Sequence, residues 1–409
     1  MTLYILALLC SPFLLLTTLA NSLIPPTVVW NTATKEPSRN KNNDSIIGSG
    51  LPIGNGETVA YVFKLSPSDD RKPLPNASYF DLPIGVSFIV DMPEAMASDG
   101  SLFSLGMITL DTVPSMFASY NWETSFHQIL NTSDASVTIS TKSVSIKVWV
   151  DANTNLITAS VTSTHPVGLE VQIQSLRPAG KRFTYPGNNL TTLNINTTFP
   201  TSLPDTFVTT ENTISVSHRN DFEDKPAYFN DTLKQQGLGD IVDTLYAQGS
   251  DHWTNRQFGM ICSGKGLISK KNSLNSKHML VSSKFSTSFS LAITTLAKQT
   301  DDSTIFNNEL NEQHNHHIES NDFYTKHLEH WKNFWDKSYI ITKSNRKSNY
   351  SNVTKDPTPS LNRKYPLTRY LQSIQVQSGT KGGWVPIKFN GLCFTTKLPP
   401  TSMERDWGK

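Results

Sequence analysis

The chain has 409 residues, and 36 Lys and Arg stand against 34 Asp and Glu, so its formal charge is +2 with only 17% of residues charged. There is no basic field for nucleic acid and no acidic tail, which excludes polyanion recognition as a leading function. Ser, Thr and Asn, at 46, 44 and 32 residues, take the place of charge, a composition that suits strands and turns more than long solvated helices.

From Leu3 to Leu19 the chain is nearly all apolar, and Ala20-Asn21-Ser22 closes the run with small residues. This is the pattern of a cleaved secretory signal over residues 1–22, so an extracellular protein is expected; a retained signal anchor is the alternative, at the short limit for spanning a bilayer. No later segment has 18 uninterrupted apolar residues, so no membrane association is expected after cleavage. Two cysteines lie beyond the signal, Cys262 and Cys393, and one bridge or two buried thiols are both open. Sequons stand at Asn43, Asn76, Asn131, Asn189, Asn196, Asn230, Asn349 and Asn352. Chance alone gives about seven in this composition, so they are glycosylation candidates only if the chain is secreted.

Between residues 27 and 296 the dominant period is two. Val144, Ile146, Val148 and Val150 alternate with Ser145, Lys147 and Trp149, and Leu169, Val171 and Ile173 alternate with Glu170, Gln172 and Gln174. Further strands are readable at 59–63, 86–90, 102–110, 137–139, 157–161, 213–216, 258–262 and 285–296, separated by turn chemistry such as Asp99-Gly100 and 151–155. At least ten such strands imply two packed antiparallel sheets in one large β-domain.

Over residues 300–342 the period becomes helical. A polar helix is expected from Thr304, and a second places Tyr324, Leu328, Trp331 and Trp335 on one face behind a Ser320-Asn321-Asp322 cap. Residues 343–363, rich in Ser, Asn, Lys and Pro, read as an exposed connector, and helical spacing restarts over 367–376.

Few segments point to chemistry. His314, His316, His317, His327 and His330 crowd 17 residues, but without a nearby Cys they read as a solvated helix surface rather than a zinc site. Gly54-Asn55-Gly56 and Gly379-Thr380-Lys381-Gly382-Gly383 lack the phosphate-loop pattern, and the first reads as a structural turn. No Gly-x-Ser-x-Gly, dinucleotide fingerprint, His-Glu-x-x-His or EF-hand sequence occurs, and no cofactor is implied.

A resemblance emerges from an ordered set of segments: Val28-Val29-Trp30, the Leu51 to Gly56 turn, Leu102 to Gly106, Val148 to Asn153, Ser217-His218-Arg219-Asn220, Arg256-Gln257-Phe258-Gly259, and His330-Trp331 to Ser338. Over roughly residues 27–409 the chain resembles the N-terminal β-domain named domain of unknown function 5703, itself similar to family 95 glycoside hydrolases, the α-L-fucosidases. Met92-Pro93-Glu94-Ala95-Met96 departs from the more polar, aromatic segment expected there.

The resemblance implies a mainly β fold: a β-supersandwich over 27–296, a helical linker, and the first helix and loop of an (α/α)6 six-hairpin barrel over 364–409, with the barrel incomplete. It implies a carbohydrate partner, with Lys388, Asn390, Arg405, Asp406 and Trp407 as cleft-lining sugar contacts. Lys, Asn, Arg and Asp supply donors and acceptors for hydroxyls, and Trp an apolar plane for a sugar face. Glu404 and Asp406 are the only carboxylates after residue 357, and an unburied pair two residues apart is a poor acid–base set. Catalysis is therefore not expected of this chain alone. The competing expectations are a non-catalytic carbohydrate-binding module and an incomplete gene product.

Overall fold

The structure, a computed structural model, describes residues 25, 27–31, 50–64, 85–96, 102–117, 122–175, 181–182, 201–220, 237–241, 243–244, 255–271, 278–320, 322–338, 340, 358–377 and 388–389. The strands, in chain order, begin with β1 (Thr27–Trp30), β2 (Leu51–Gly54), β3 (Val59–Phe63), β4 (Val86–Met96), β5 (Leu102–Val113), β6 (His127–Asn131), β7 (Ser136–Ser140), β8 (Val144–Val150) and β9 (Leu156–Gln174). They continue with β10 (Lys181–Arg182), β11 (Thr201–Ser202), β12 (Thr206–Thr209), β13 (Thr213–Arg219), β14 (Arg256–Gly264), β15 (Leu267–Lys271), β16 (His278–Ser282) and β17 (Ser286–Gln299). Three helices follow, α1 (Ser303–Glu319), α2 (Phe323–Lys337) and α3 (Thr358–Ser373), then β18 (Val376–Gln377) and β19 (Lys388–Phe389). The chain is mainly β, as expected; the described helices do not form a barrel.

The long strand β9 organises the sandwich. Its first half pairs with β8 and β17, and its second half pairs with β5 and β16. One sheet therefore runs β1-β6-β7-β8-β9-β17-β14-β13-β12, and the other runs from β2 through β3, β4 and β5 to β9, then β16 and β15. Sequence alternation reads this strand as two, because Thr164, His165 and Pro166 are exposed and interrupt it. Pro166 has no amide hydrogen to give a ladder, so it suits the point where one sheet hands the strand to the other.

Ile157, Ala159, Val161, Val167, Leu169, Val171 and Ile173 all turn inward and join a core shared by both sheets. The two motifs centred on His218 and Phe258 lie side by side, with His218 opposite Phe258 and Ser217 opposite Gly259. A Cβ on Gly259 would lie 2.4 Å from the Val216 carbonyl oxygen, so only glycine fits there.

Helices α1 and α2 lie on the outer face of the first sheet. Helix α1 puts Phe306 and Leu310 against Ile261 and Leu296 in a small second core. On α2 the buried residues are His327, Trp331 and Trp335, whereas Tyr324 and Leu328, expected on the same face, are exposed. Trp149, on the strand face expected to be solvated, is buried under this helix, its ring 4.6 Å from His327. Helix α3 begins at Thr358, inside the stretch 343–363 expected to be a connector. Pro359 in its first turn needs no hydrogen-bond acceptor, which lets a segment without helical periodicity start a helix. Among the described residues no helix is long and apolar enough to cross a membrane.

Candidate functional site

Two hairpin turns and the three helices meet on one side of the sandwich, and the meeting point is built around Asn55. Its Nδ2 donates to the carbonyls of Asp151 at 2.8 Å and Thr154 at 2.9 Å. Its Oδ1 accepts from the backbone N–H groups of Glu57 at 2.9 Å and Thr58 at 2.8 Å. All four bonds an amide can make are thus formed, and the residue is buried. Gly56, with φ of +88°, takes the left-handed conformation that closes the turn.

The second turn is held by Asp151, whose Oδ2 accepts from Asn153 N at 3.0 Å and Thr154 Oγ1 at 2.9 Å. Burial raises the Asp151 carboxyl above its ordinary value, and these bonds oppose the shift. Thr58 Oγ1 and Thr295 Oγ1, 2.8 Å apart, tie the first turn to β17.

Helix α3 docks on this assembly. Gly56 donates its N–H to the Ile374 carbonyl at 3.0 Å, and Tyr370 Oη donates to the Pro52 carbonyl at 2.9 Å. Tyr370 and Ile374 are fully buried, and the Tyr370 ring packs 5.6 Å from Trp331 of α2. Arg369 caps α2 by donating to the carbonyls of Phe334 and Ser338, with its guanidinium 4.3 Å from the Phe334 ring.

The clustered histidines divide between core and surface, which corrects the expectation of a solvated face. His314, His317 and His327 are buried, while His316 and His330 remain exposed. Ser263 Oγ lies 2.7 Å from His314 Nε2, and Thr294 Oγ1 lies 3.0 Å from His314 Nδ1 and 2.8 Å from His317 Nδ1. His327 Nε2 donates to the Asp134 carbonyl at 2.7 Å. Burial pulls all three imidazoles down to about 4, so they are neutral fasteners between helices and sheet. The spacing held the signal: Phe306, Leu310, His314 and His317 continue one helical stripe. Among the described residues no group of three or more His, Cys, Asp or Glu could hold a metal ion.

Between the two turns and α1 lies an open cleft of about 500 Å³, lined by Glu57, Asn153, Thr154, Asn155, Glu312, Gln313, His316 and His317. Sequence reasoning missed it because three separate segments form it. Of the sugar contacts expected from the sequence, Lys388 belongs to β19 opposite Gln377, with its side chain outside the described residues. Asn390, Arg405, Asp406 and Trp407 also lie outside them, as do Glu404, Cys393, residues 1–22 and every sequon Asn except Asn131. Asn131 sits at the end of β6, where its Oδ1 accepts from Ser133 N and Ser133 Oγ. Cys262 is a free, buried thiol pushed up to about 12 by burial.

Fold and site together define a large two-sheet β-domain with helices fastened to its outer face. The profile of the N-terminal part of the domain of unknown function 5703 matches residues 85–340, well over half of the chain, and the chain belongs to this family. The motifs that carried the resemblance serve turns and packing: Asp151 orders a loop, Gly259 permits close strand approach, and Trp331 fills the core under α2. No curated protein matches the chain. A solved structure from the human microbiome, provisionally assigned as a kojibiose phosphorylase, is similar at 10% identity with a TM-score of 0.40. The similarity covers 87% of this chain and 39% of that one, so the chain spans well under half of its length.

Proposed function

We propose that this chain is the β-domain and helical linker of a secreted, glycoside-hydrolase-like protein that acts on extracellular glycans. Its own part is to bind glycan and seat a helical domain, not to hydrolyse. The observation that carries this reading is the docking of α3: the Asn55 turn receives Ile374 and Tyr370 where the family 95 resemblance expects the first barrel helix to begin. In the same reading Lys388, Asn390, Arg405, Asp406 and Trp407, which follow that helix in sequence, are the contacts to sugar. The cleft between the two turns and α1 favours a second reading, a non-catalytic carbohydrate-binding module, because its lining includes hydroxyl-binding groups without any residue from the barrel region.

A glycan array and a panel of aryl glycosides, probed with the full chain, test the proposal. Retention of glycans with no turnover is expected. Silence across fucosylated, galactosylated and uronic-acid glycans would overturn it, and hydrolysis would overturn the assignment of a purely binding role.

A further inference from the structure

We infer that the cleft between the β2–β3 turn, the β8–β9 turn and α1 is a binding site for one neutral sugar unit. The ligand class rests on the carbohydrate reading above; the site itself rests on geometry. Its volume of about 500 Å³ falls within the range of small-molecule sites, roughly 300–1,000 Å³. The walls are rigid where it matters: Asn55 and Asp151 pin the turn bearing Asn153 and Asn155, and the Thr58–Thr295 hydroxyl pair fixes the turn bearing Glu57.

The third wall holds the telling group. His317 is only 8% exposed yet lines the cleft, and the described hydrogen bonds use its Nδ1 alone. Its other ring nitrogen is available to an occupant. The single Thr294 hydroxyl proton lies between His314 Nδ1 and His317 Nδ1, so Thr294 donates to one ring and accepts from the other. If Thr294 donates to His317, a neutral His317 carries its proton on Nε2 and gives a hydrogen bond. If Thr294 donates to His314, His317 carries its proton on Nδ1 and accepts one at Nε2. Ser263 can serve as donor or acceptor at His314 Nε2, so it accommodates either arrangement. A group that can donate or accept at no ionisation cost matches a sugar hydroxyl, which does both.

Charge selects among sugars. The lining carries Glu57 and Glu312 and no Lys or Arg, so it repels uronic acids and phosphorylated sugars. Asn153, Asn155 and Gln313 add amide donors and acceptors for a neutral polyol.

Titration of the full chain with D-glucose, D-galactose and L-fucose, with D-glucuronate as the anionic arm, tests this by ligand-observed NMR. At least one neutral sugar is expected to saturate in the millimolar range, with D-glucuronate weaker. Glu312→Ala and Gln313→Ala change side chains outside the core and are each expected to weaken binding about tenfold with unchanged thermal unfolding. The His317 imidazole ¹⁵N shifts are expected to move on binding while the ring stays neutral. Preference for D-glucuronate, absence of saturation by any neutral sugar, or binding by both variants equal to that of the wild type would overturn the site. Glycan retention on the array that survives both variants would end the cleft assignment and leave the proposed glycan-binding role of the β-domain standing; a silent array with a saturable cleft would do the reverse.

Discussion

The amide of Gly56, in a turn near the start of the β-domain, hydrogen-bonds the carbonyl of Ile374 just past the end of α3, at 3.0 Å. Neighbouring Gly54 has no room for a side chain: an added Cβ would lie 2.9 Å from both the Ile374 and the Thr58 carbonyl oxygens. Gly54→Ala is therefore expected to push α3 off the turn and expose residues 358–375 to limited proteolysis. Tyr370→Phe, which loses one neutral hydrogen bond to Pro52, should cost about 1 kcal/mol in urea unfolding without displacing the helix. Equal protease resistance in Gly54→Ala and wild type would contradict the packing.

Asn55 is the second point of failure. Asn55→Ala removes four hydrogen bonds from a buried turn and should cost on the order of 2–4 kcal/mol in chemical denaturation. Asn55→Asp should cost at least as much, because an acceptor would replace the donor facing the Asp151 and Thr154 carbonyls. A loss below about 0.5 kcal/mol in both variants, the range of ordinary surface changes, would show that the turn is not held this way.

The buried imidazoles give stability a defined pH dependence. His314, His317 and His327 titrate near 4 when folded and near the ordinary value of about 6.5 when unfolded. Above about 6.5 neither state takes up a proton and stability is flat with respect to these groups; between 6.5 and 4 the unfolded state binds protons first, so stability falls as pH falls. Each histidine contributes at most about 1.4 kcal/mol per pH unit in that window. His327→Phe keeps a ring against Trp149 and should reduce the slope by up to one proton, measured by denaturation at stepped pH. An unchanged slope would mean that His327 already titrates normally in the fold.

The thiol of Cys262 should be chemically silent. Pushed up to about 12 and fully buried, it has almost no thiolate at pH 8. Peptide mass spectrometry after alkylation should find Cys262 modified only when denaturant is present. Rapid labelling of the folded chain would contradict its burial.

Much of the sheet architecture could be read from sequence because half-buried strands announce themselves by alternation, as Val144 to Val150 does. What alternation cannot carry is pairing at long range. The two halves of β9 read as separate strands because their partners, β8 and β17 for one and β5 and β16 for the other, are known only once the sheets close. Trp149 and the three histidines are misread for a related reason: Trp149 lies on the outer sheet face and the histidines on the faces of α1 and α2 that pack against it, and both count as solvated until helix and sheet meet. The cleft was illegible because Glu57, Asn153 and Glu312 sit on three elements, and no local pattern links a turn of β2–β3 to a helix beginning at Ser303.

Hydrogen exchange at the Gly56 amide tests the central claim most directly, since its only bond in this arrangement is to Ile374 and its exchange reports the undocking of α3. The account predicts a protected Gly56 amide in the full chain, exchanging faster in Tyr370→Phe together with the amides of α3. A Gly56 amide that exchanges as fast as an exposed turn, with Asn55 and Thr58 still protected, would contradict it.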